Sequence, residues 1–214
     1  MQLPNLTPSA LLSAVEISAT AAFALSGLLA AARKKLDAVG VCVVAGLAAF
    51  GGGTLRDVLL DRRPFFWVEH PNWLWALLAL CAMAMLLLRR RHLALTERAI
   101  QWPDALGLGL FTALGTQLAL DQGLSGIVAV LMGMITAVFG GVLRDIVCNE
   151  IPSAFHDHRP YAVCSFLGGG VMVLAHGLEW SEGSALLAAA GTATGLRLLA
   201  LWQDWKLPAW RVHR

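Results

Sequence analysis

One 14-residue segment occurs twice in this chain of 214 residues. GGGTLRDVLLDRRP at residues 51–64 returns as FGGVLRDIVCNEIP at residues 139–152, and the two copies align without a gap. Each copy lies toward the end of a long apolar stretch and joins a glycine cluster to an Arg-Asp pair. Glycine loosens a helix, and a charge is costly in hydrocarbon. A membrane chain that repeats both features at matching places is predicted to build a polar pathway between two related halves.

The composition indicates an all-α integral membrane protein. Hydrophobic residues make up 57% of the chain and charged residues 14%, whereas an ordinary soluble domain is about half apolar and about a quarter charged. A helix needs about 20 apolar residues to cross a bilayer. Seven stretches near that length predict seven transmembrane helices in one domain over residues 1–214, at 9–32, 38–60, 72–88, 104–121, 124–148, 160–178 and 184–203. They leave no room for a soluble catalytic or nucleic-acid-binding domain.

Lysine and arginine predict the orientation of the chain. The loops after the first, third, fifth and seventh spans are basic, whereas the opposite side holds Arg62 and Arg63. By the positive-inside rule, the N-terminus is predicted outside and the C-terminus in the cytoplasm of a multi-pass cell (inner) membrane protein. The basic set is Arg33, Lys34, Lys35, Arg89, Arg90, Arg91, Arg98, Arg159, Lys206, Arg211 and Arg214.

The repeat extends beyond the motif. A constant shift of 88 residues, which takes Arg56 to Arg144, also takes Phe23 to Phe111 and Gly27 to Gly115. The repeating unit is three spans, over residues 9–92 and 104–178. Because three is odd, the two units are predicted to enter the membrane from opposite sides, as an inverted repeat. The seventh helix, residues 184–203, stands outside this symmetry, and Gly191, Thr192 and Gly195 give it a face suited to close helix contact.

The glycine clusters have two interpretations. Gly51, Gly52 and Gly53 in the second span and Gly140 and Gly141 in the fifth would kink these helices near the bilayer centre and free backbone groups for an ion. Alternatively, small residues only let two helices approach closely. The association of both clusters with arginine and aspartate favours the first interpretation.

The four charges of the motif also have two interpretations. Arg56, Asp57, Arg144 and Asp145 either gate the path and tune its field, or form ion pairs that lock the repeats together. Arg56 shares a helix face with Gly52 and Gly53 and is expected to cover the notch there. Asp57 is turned by about 100°, so its partner is expected in the other repeat or at Thr54.

Other ionisable residues give weaker predictions. Glu16 and Arg197 are lone charges in the first and seventh spans, and each is open to a pore, a partner helix or another subunit. Asp104 and Asp121 stand at predicted helix ends, where capping or exposure at the membrane interface is the expected role. The loop residues His156, Asp157 and His158 are interpreted as a solvated turn and not as a metal site. Packing is the interpretation of the four cysteines, Cys42, Cys81, Cys148 and Cys164.

No residue set in the sequence predicts an enzyme. Triad, paired-carboxylate, metal-ligand and phosphate-loop patterns in a credible context are missing, and no cofactor is implied.

The doubled glycine-rich helix ending in Leu-Arg-Asp, within seven predicted spans arranged as three plus three plus one, resembles the bacterial branch of the TRIC family, the trimeric intracellular cation channels. This group also carries a glycine-transporter label. The resemblance covers essentially the whole chain, and its motif is specific in combination.

The resemblance implies a homotrimer in membrane lipids, with an hourglass-shaped pore in each subunit. The second and fifth spans would line this pore, which would pass potassium and, less selectively, sodium. The family's kinks fall at Gly51, Gly52, Gly53, Gly140 and Gly141, and its pore-facing charges at Arg56, Asp57, Arg144 and Asp145. One departure is Phe139, which replaces a third glycine and predicts either a smaller bend in the fifth span or a narrower path there.

A channel of this kind must let cations pass arginines. Unit charges 4 Å apart interact by about 4 kcal/mol at an effective dielectric of 20, so carboxylates must offset the field, or the arginines must swing aside as gates. If they are gates, neutralising Arg56 or Arg144 should raise open probability or conductance. The alternative function is a secondary transporter for a small zwitterion such as glycine, because inverted repeats and broken helices belong to that design too.

Overall fold

The computed structural model describes residues 8–87, 96–156 and 159–208, and its regular structure in these ranges is helical. The predicted basic residues at 89–91, Arg211 and Arg214, and the loop residues Asp157 and His158, lie outside the described residues. The helices are α1 (Pro8–Arg33), α2 (Ala38–Leu59), α3 (Phe66–Glu69), α4 (Asn72–Leu87), α5 (Thr96–Asp121), α6 (Gly126–Val147), α7 (Ser153–His156), α8 (Ala162–Gly177) and α9 (Glu182–Trp202).

Each predicted span corresponds to one long helix of the described ranges. Six of the seven predictions agree with the helix bounds to within two residues, and the exception is α5, which begins at Thr96 and not at residue 104. The extra turns of α5 include Gln101 and Pro103. They are more polar than the rest of the helix, and hydropathy marks the apolar part of a helix, not the point where its backbone hydrogen bonds begin.

Among the described residues, four helices are long and apolar enough to cross a membrane, namely α1 from Ala10, α2, α6 and α9. The apolar helices α4 and α8 have 16 residues each within the described ranges, which corresponds to about 24 Å of length. The protein is therefore an all-helical membrane protein, as predicted. The count of seven spans stays a prediction.

Small residues bring α1 against α2 and α5 against α6. A Cβ atom added to Gly27 of α1 would lie 2.8 Å from Cβ of Ala48 in α2. A Cβ atom added to Gly115 of α5 would lie 2.6 Å from Oγ1 of Thr136 in α6. Real Cβ atoms do not approach other atoms so closely, so both helix pairs depend on glycine at these two positions. Gly27 and Gly115 are 88 residues apart, and so are Ala48 and Thr136.

The two helix pairs meet through equivalent residues. Phe23 of α1 stacks on Phe111 of α5 with ring centroids 5.6 Å apart. Between α2 and α6, a Cβ atom on Gly52 would lie 2.0 Å from the backbone oxygen of Thr136, and one on Gly140 would lie 2.4 Å from the backbone oxygen of Ala48. Residue numbers rise along α2 as they fall along α6 across this contact, so the two helices are antiparallel.

Helix α9 packs on α5 and α8 through its alanines. A Cβ atom on Gly168 of α8 would lie 2.7 Å from Cβ of Ala193, and Ala189 is fully buried. The predicted contact face of α9 is different. A Cβ atom on Gly191 or Gly195 would meet nothing within 4 Å among the described residues, so this face does not pack on another described helix of the chain, and a role in assembly stays a prediction.

Candidate functional site

Arg56 is fully buried between α2 and α1 and pairs with two carboxylates. Its Nε donates to Oδ1 of Asp57 at 2.8 Å, and its Nη2 donates to Oε1 of Glu16 at 2.7 Å. The prediction that Asp57 would find its partner in the other repeat or at Thr54 is wrong, because the arginine bends back toward its neighbour in sequence. The Thr54 hydroxyl instead accepts from Nε1 of Trp67 at 3.0 Å.

Arg144 occupies the equivalent place between α6, α5 and α1. Its Nε donates to Oδ1 of Asp145 at 2.8 Å, and its Nη1 donates to Oδ1 of Asp104 at 2.5 Å and also to Oγ of Ser26. Asp145 in addition accepts from the backbone N–H and the hydroxyl of Ser153, at 2.9 and 3.0 Å. The prediction that Asp104 caps a helix is wrong, because α5 begins eight residues earlier and places Asp104 inside the helix.

Glu16 and Asp104 are the site residues that the sequence interpretation missed. The signal that finds them is the repeat itself, since 16 plus 88 is 104. Each carboxylate reaches an arginine 40 residues further along the chain. Glu16 therefore contacts a partner helix, one of the three alternatives left open for it, and the pore and another subunit stay predictions.

The charge of the two clusters is the same. Each sets one guanidinium against two carboxylates, in the sets Glu16, Arg56, Asp57 and Asp104, Arg144, Asp145, so each carries a formal charge of minus one. Removing such ions from water is costly, and their hydrogen bonds offset that cost only when the geometry is good. A further cation, Arg62, lies 3.9 Å from Asp57, and its side chain is 43% exposed to solvent.

Each cluster lines a cavity that opens to the surface. The cavity at Arg56, called the Arg56 cavity below, has a volume of about 770 Å³, and its lining includes Glu16, Thr20, Asp57, Asp61, Arg62, Arg63 and Glu69. The cavity at Arg144, called the Arg144 cavity, has a volume of about 510 Å³, and its lining includes Arg33, Lys34, Asp104, Asp145, Glu150, Arg159 and Arg197.

The two cavities are separated by packed side chains and backbone. They share no lining residue. Along α1, Phe23 lies between Thr20, which lines the Arg56 cavity, and Ala30, which lines the Arg144 cavity, and it is fully buried. The contact of α2 with α6 at Gly52 and Gly140 lies in the same middle part of the molecule.

The glycines of the motif serve close packing. Gly52 and Gly140 admit the opposite backbone, as described above, whereas Gly51 admits Leu143 and Gly53 admits the Phe66 ring, with added Cβ atoms 2.6 and 2.8 Å from the nearest side-chain atom. The expectation that Arg56 covers the glycine notch is wrong, because other groups fill it. Both helices are continuous through their glycines, and the predicted kink stays a prediction.

The lone arginine of the seventh helix reaches the same region. Arg197 is buried, lines the Arg144 cavity, and lies 4.7 Å above the ring of Tyr161. Its Nη1 also donates to the backbone oxygen of Pro160 at 3.4 Å. Asp121, the other predicted cap, accepts from the Gln117 amide at 2.6 Å.

The described part of the chain holds no group of three metal-ligating side chains. Of the loop triplet, Asp157 and His158 lie outside that part. The four cysteines are free, and three of them are buried.

Comparisons with known proteins agree on one family. The family model described as "Glycine transporter" matches the chain twice, at residues 13–89 and 101–177, and these two ranges overlap the predicted repeats at 9–92 and 104–178. A UPF0126 membrane protein of Vibrio cholerae is 36% identical over 210 residues, covering 96% of this chain and 85% of that protein. The UPF0126 inner membrane protein YadS of Escherichia coli K12 is 36% identical over 162 residues, covering 76% of this chain and 77% of YadS.

Solved structures show the same fold. The TRIC trimeric intracellular cation channel orthologue from Rhodobacter sphaeroides superimposes with a TM-score of 0.82 at 30% identity, covering 91% of this chain and 98% of the orthologue. A second structure, reported for conductance through TRIC cation channels, gives a TM-score of 0.81 at 29% identity and covers 94% of this chain and 98% of its own.

Proposed function

Because the chain belongs to the TRIC family, which includes the UPF0126 membrane proteins, we propose that it is a monovalent cation channel. It passes potassium and, less selectively, sodium through a path within each subunit, from the Arg56 cavity to the Arg144 cavity. Helices α2 and α6 line the middle of this path. The solved relatives are cation channels, and the charge of the site supports the same function here.

The observation that carries the proposal is the excess of carboxylate over guanidinium in both clusters. Two carboxylates face each buried arginine, and this local charge of minus one favours a cation over an anion at the cluster itself. The rest of the Arg144 cavity is positive, since its lining also holds Arg33, Lys34, Arg159 and Arg197 against Glu150. Carboxylates thus offset the barrier that arginine raises against cations. Arg56, Asp57, Arg144 and Asp145 act as gate and field residues at the two mouths, together with Glu16 and Asp104.

The symmetry of the contacts supports a path through the middle of an inverted repeat. Gly52 touches Thr136 while Gly140 touches Ala48, and each residue of the first contact is 88 positions from one in the second. A reciprocal contact of this kind is what a two-fold relation produces. The glycines at 51–53 and 140–141 then lie where the helices must separate for an ion to pass.

The membrane orientation we propose has the N-terminus outside and the C-terminus in the cytoplasm of a cell (inner) membrane. The Arg144 cavity would face the cytoplasm. Its lining includes Arg33, Lys34 and Arg159, which is the sign of charge that the positive-inside rule expects there.

The test is a measurement of current across a planar bilayer that contains the purified protein. With potassium, sodium and chloride gradients imposed in turn, we expect reversal potentials near the potassium potential, a smaller permeability to sodium, and little to chloride. Chloride permeability equal to that of potassium, or no unitary current at all, would contradict the proposal.

A second candidate function is a secondary transporter for a small zwitterion such as glycine. The description of the matching family model favours it, and two cavities that share no lining residue are also the geometry of alternating access. Liposomes that contain the protein distinguish the two functions. Saturable uptake of radiolabelled glycine without unitary currents supports the transporter, and fast potassium flux without saturable uptake supports the channel.

A further inference from the structure

The two arginines differ in one hydrogen-bond partner. At Arg144, the hydroxyl of Ser26 accepts from Nη1 and lies 3.4 Å from Oδ1 of Asp104. Ser26 is fully buried and belongs to α1, whereas the rest of this cluster belongs to α5 and α6. It therefore ties the guanidinium of one repeat to a helix of the other.

The equivalent position of the other cluster has no hydroxyl. A shift of 88 residues takes Ser26 to Leu114, which is buried and apolar. Nη1 of Arg56 is buried from solvent and has no hydrogen-bond partner among the described residues. Glu16 and Asp57 occupy Nη2 and Nε of the same guanidinium.

An unpaired N–H in a buried guanidinium weakens the arrangement that contains it. Such a group has lost its bonds to water without gaining others, and the loss is larger for a charged donor than for a neutral one. Arg56 therefore has one hydrogen bond fewer than Arg144, although both have two carboxylate partners and Cζ of Arg56 also lies 6.0 Å from the centre of the Phe66 ring.

We propose that Ser26 is a positioning residue that holds Arg144 in place by accepting a hydrogen bond. Leu114, at the equivalent position of the other repeat, offers no such acceptor, and Arg56 is therefore the arginine that moves when the path opens. The inference rests on the proposed channel function for its gating consequence, although the difference in mobility does not depend on it. The opening step is asymmetric although the two clusters contain the same number of carboxylates and guanidinium groups. The apolar side chain at one position of α5 determines which mouth opens.

The first experiment introduces at position 114 the hydroxyl that the other repeat carries at Ser26. Leu114→Ser places a hydroxyl at the repeat equivalent of Ser26, and Leu114→Ala is the matched control, because both truncate the same buried side chain and differ in the hydroxyl alone. In a planar bilayer, we expect the open probability of Leu114→Ser to be about tenfold lower than that of Leu114→Ala, the effect of one charged hydrogen bond. Equal open probabilities for the two variants would overturn the proposal.

A second measurement examines the arginines directly. Rotation about the Nε–Cζ bond of ¹⁵N-labelled arginine can be followed by NMR in detergent micelles, and the signals of Arg56 and Arg144 are assigned by their loss in Arg56→Lys and Arg144→Lys. We expect faster rotation at Arg56 than at Arg144, and Ser26→Ala should accelerate rotation at Arg144. Equal rates in the unaltered protein would overturn the inference.

The two proposals fail separately. Absence of wild-type current would remove the channel function, and the NMR comparison would then decide the difference in mobility alone. Wild-type currents together with equal Leu114→Ser and Leu114→Ala behaviour would leave the channel function in place and remove the role of Ser26 and Leu114.

Discussion

At the scale of single residues, Arg56 and Arg144 are the two buried arginines of the described chain that each pair with two carboxylates. Each is surrounded by carboxylates from its own helix and from the helix before it. Breaking a buried pair on one side usually costs about 3 to 5 kcal/mol, because it leaves an uncompensated charge. In these clusters there are two carboxylates for one guanidinium, so the loss of one carboxylate still leaves a neutral pair. The carboxylates can therefore be tested one at a time.

Glu16→Gln and Asp104→Asn should each lower the permeability of potassium relative to chloride by about fivefold, which corresponds to about 1 kcal/mol. Each change removes the excess negative charge of one cluster and keeps an oxygen that accepts from the arginine. Reversal potentials in a potassium chloride gradient measure the ratio. Glu179→Gln is the control, because Glu179 is exposed and stands beyond the end of α8. A ratio that changes as much in the control as in the two cluster variants would argue against a local role for these carboxylates.

At the scale of secondary-structure elements, the close contact between α2 and α6 determines how the two halves of the chain pack. The motif predicts kinked helices or tightly packed ones, and the structure provides a packing reason for four of the five glycines, Gly51, Gly52, Gly53 and Gly140. Gly52 and Gly140 are the strictest, because the atoms they face are backbone oxygens of the opposite helix. A backbone atom cannot turn aside as a side chain does, so the distance between α2 and α6 depends on these two residues.

Gly52→Ala should destabilise the protein by about 3 kcal/mol, because its Cβ atom would require α2 and α6 to separate. The midpoint of thermal unfolding in detergent measures the effect. Gly46→Ala on the same helix is the matched control. Its Cβ atom would lie 3.4 Å from the nearest atom, Cδ2 of Leu77, and alanine improves helix propensity by about 1 kcal/mol. Equal midpoints for the two variants would show that the α2–α6 contact is looser than described.

The segment after α9 is tied to the segment before α8 by an ion pair. Hydrogen bonds from Arg159, at 2.6 and 2.8 Å, lower the pKa of Asp204 from its ordinary value of 3.8. The contact is therefore complete above about pH 4 and is lost as the pH falls through the lowered pKa. Arg159 lines the Arg144 cavity. The contact with Asp204 therefore also fixes the position of the Arg159 guanidinium at the opening of that cavity.

Acidification below about pH 4 should release the segment that carries Asp204 and change the fluorescence of Trp205, its neighbour in sequence. The signal of Trp205 is obtained as the difference between the unaltered protein and Trp205→Phe. Asp204→Asn, which lacks the titrating group, should show no such step. A step of the same size in Asp204→Asn would assign the transition to another group.

At the scale of the whole molecule, one chain leaves a large apolar surface uncovered. Large apolar side chains such as Trp75, Leu86, Leu187 and Trp202 are exposed on it, as expected for a surface covered by lipid or by other subunits. A solved relative is a trimeric channel, and we propose a homotrimer in membrane lipids here, with a separate path in each subunit.

The native mass of the detergent-solubilised protein should be three times 22.8 kDa, by mass spectrometry under conditions that strip detergent and preserve non-covalent contacts. Conductance should then show up to three equal levels per molecule, since each subunit carries its own path. A monomer or dimer as the main species would contradict the trimer.

The sequence by itself determined the membrane class, the family and the helices. Long apolar stretches require helices in lipid, because every backbone group must find its partner within the segment, and the spacing of 88 residues relates the two halves without any coordinates. The same spacing also makes Glu16 and Asp104 equivalent positions of the two repeats. Neither carboxylate could be assigned to the site from the sequence, because its contact with an arginine appears only in the structure.

Only the tertiary structure decided which groups touch. Asp57 bonds with the adjacent Arg56, Ser26 reaches across to Arg144, and the backbone of one helix fills the glycine notch of another. These contacts depend on rotamers and on distances between helices that are far apart in sequence. Periodicity places a side chain on a face of its helix, but the opposite surface that it meets is set by the packing of the whole bundle.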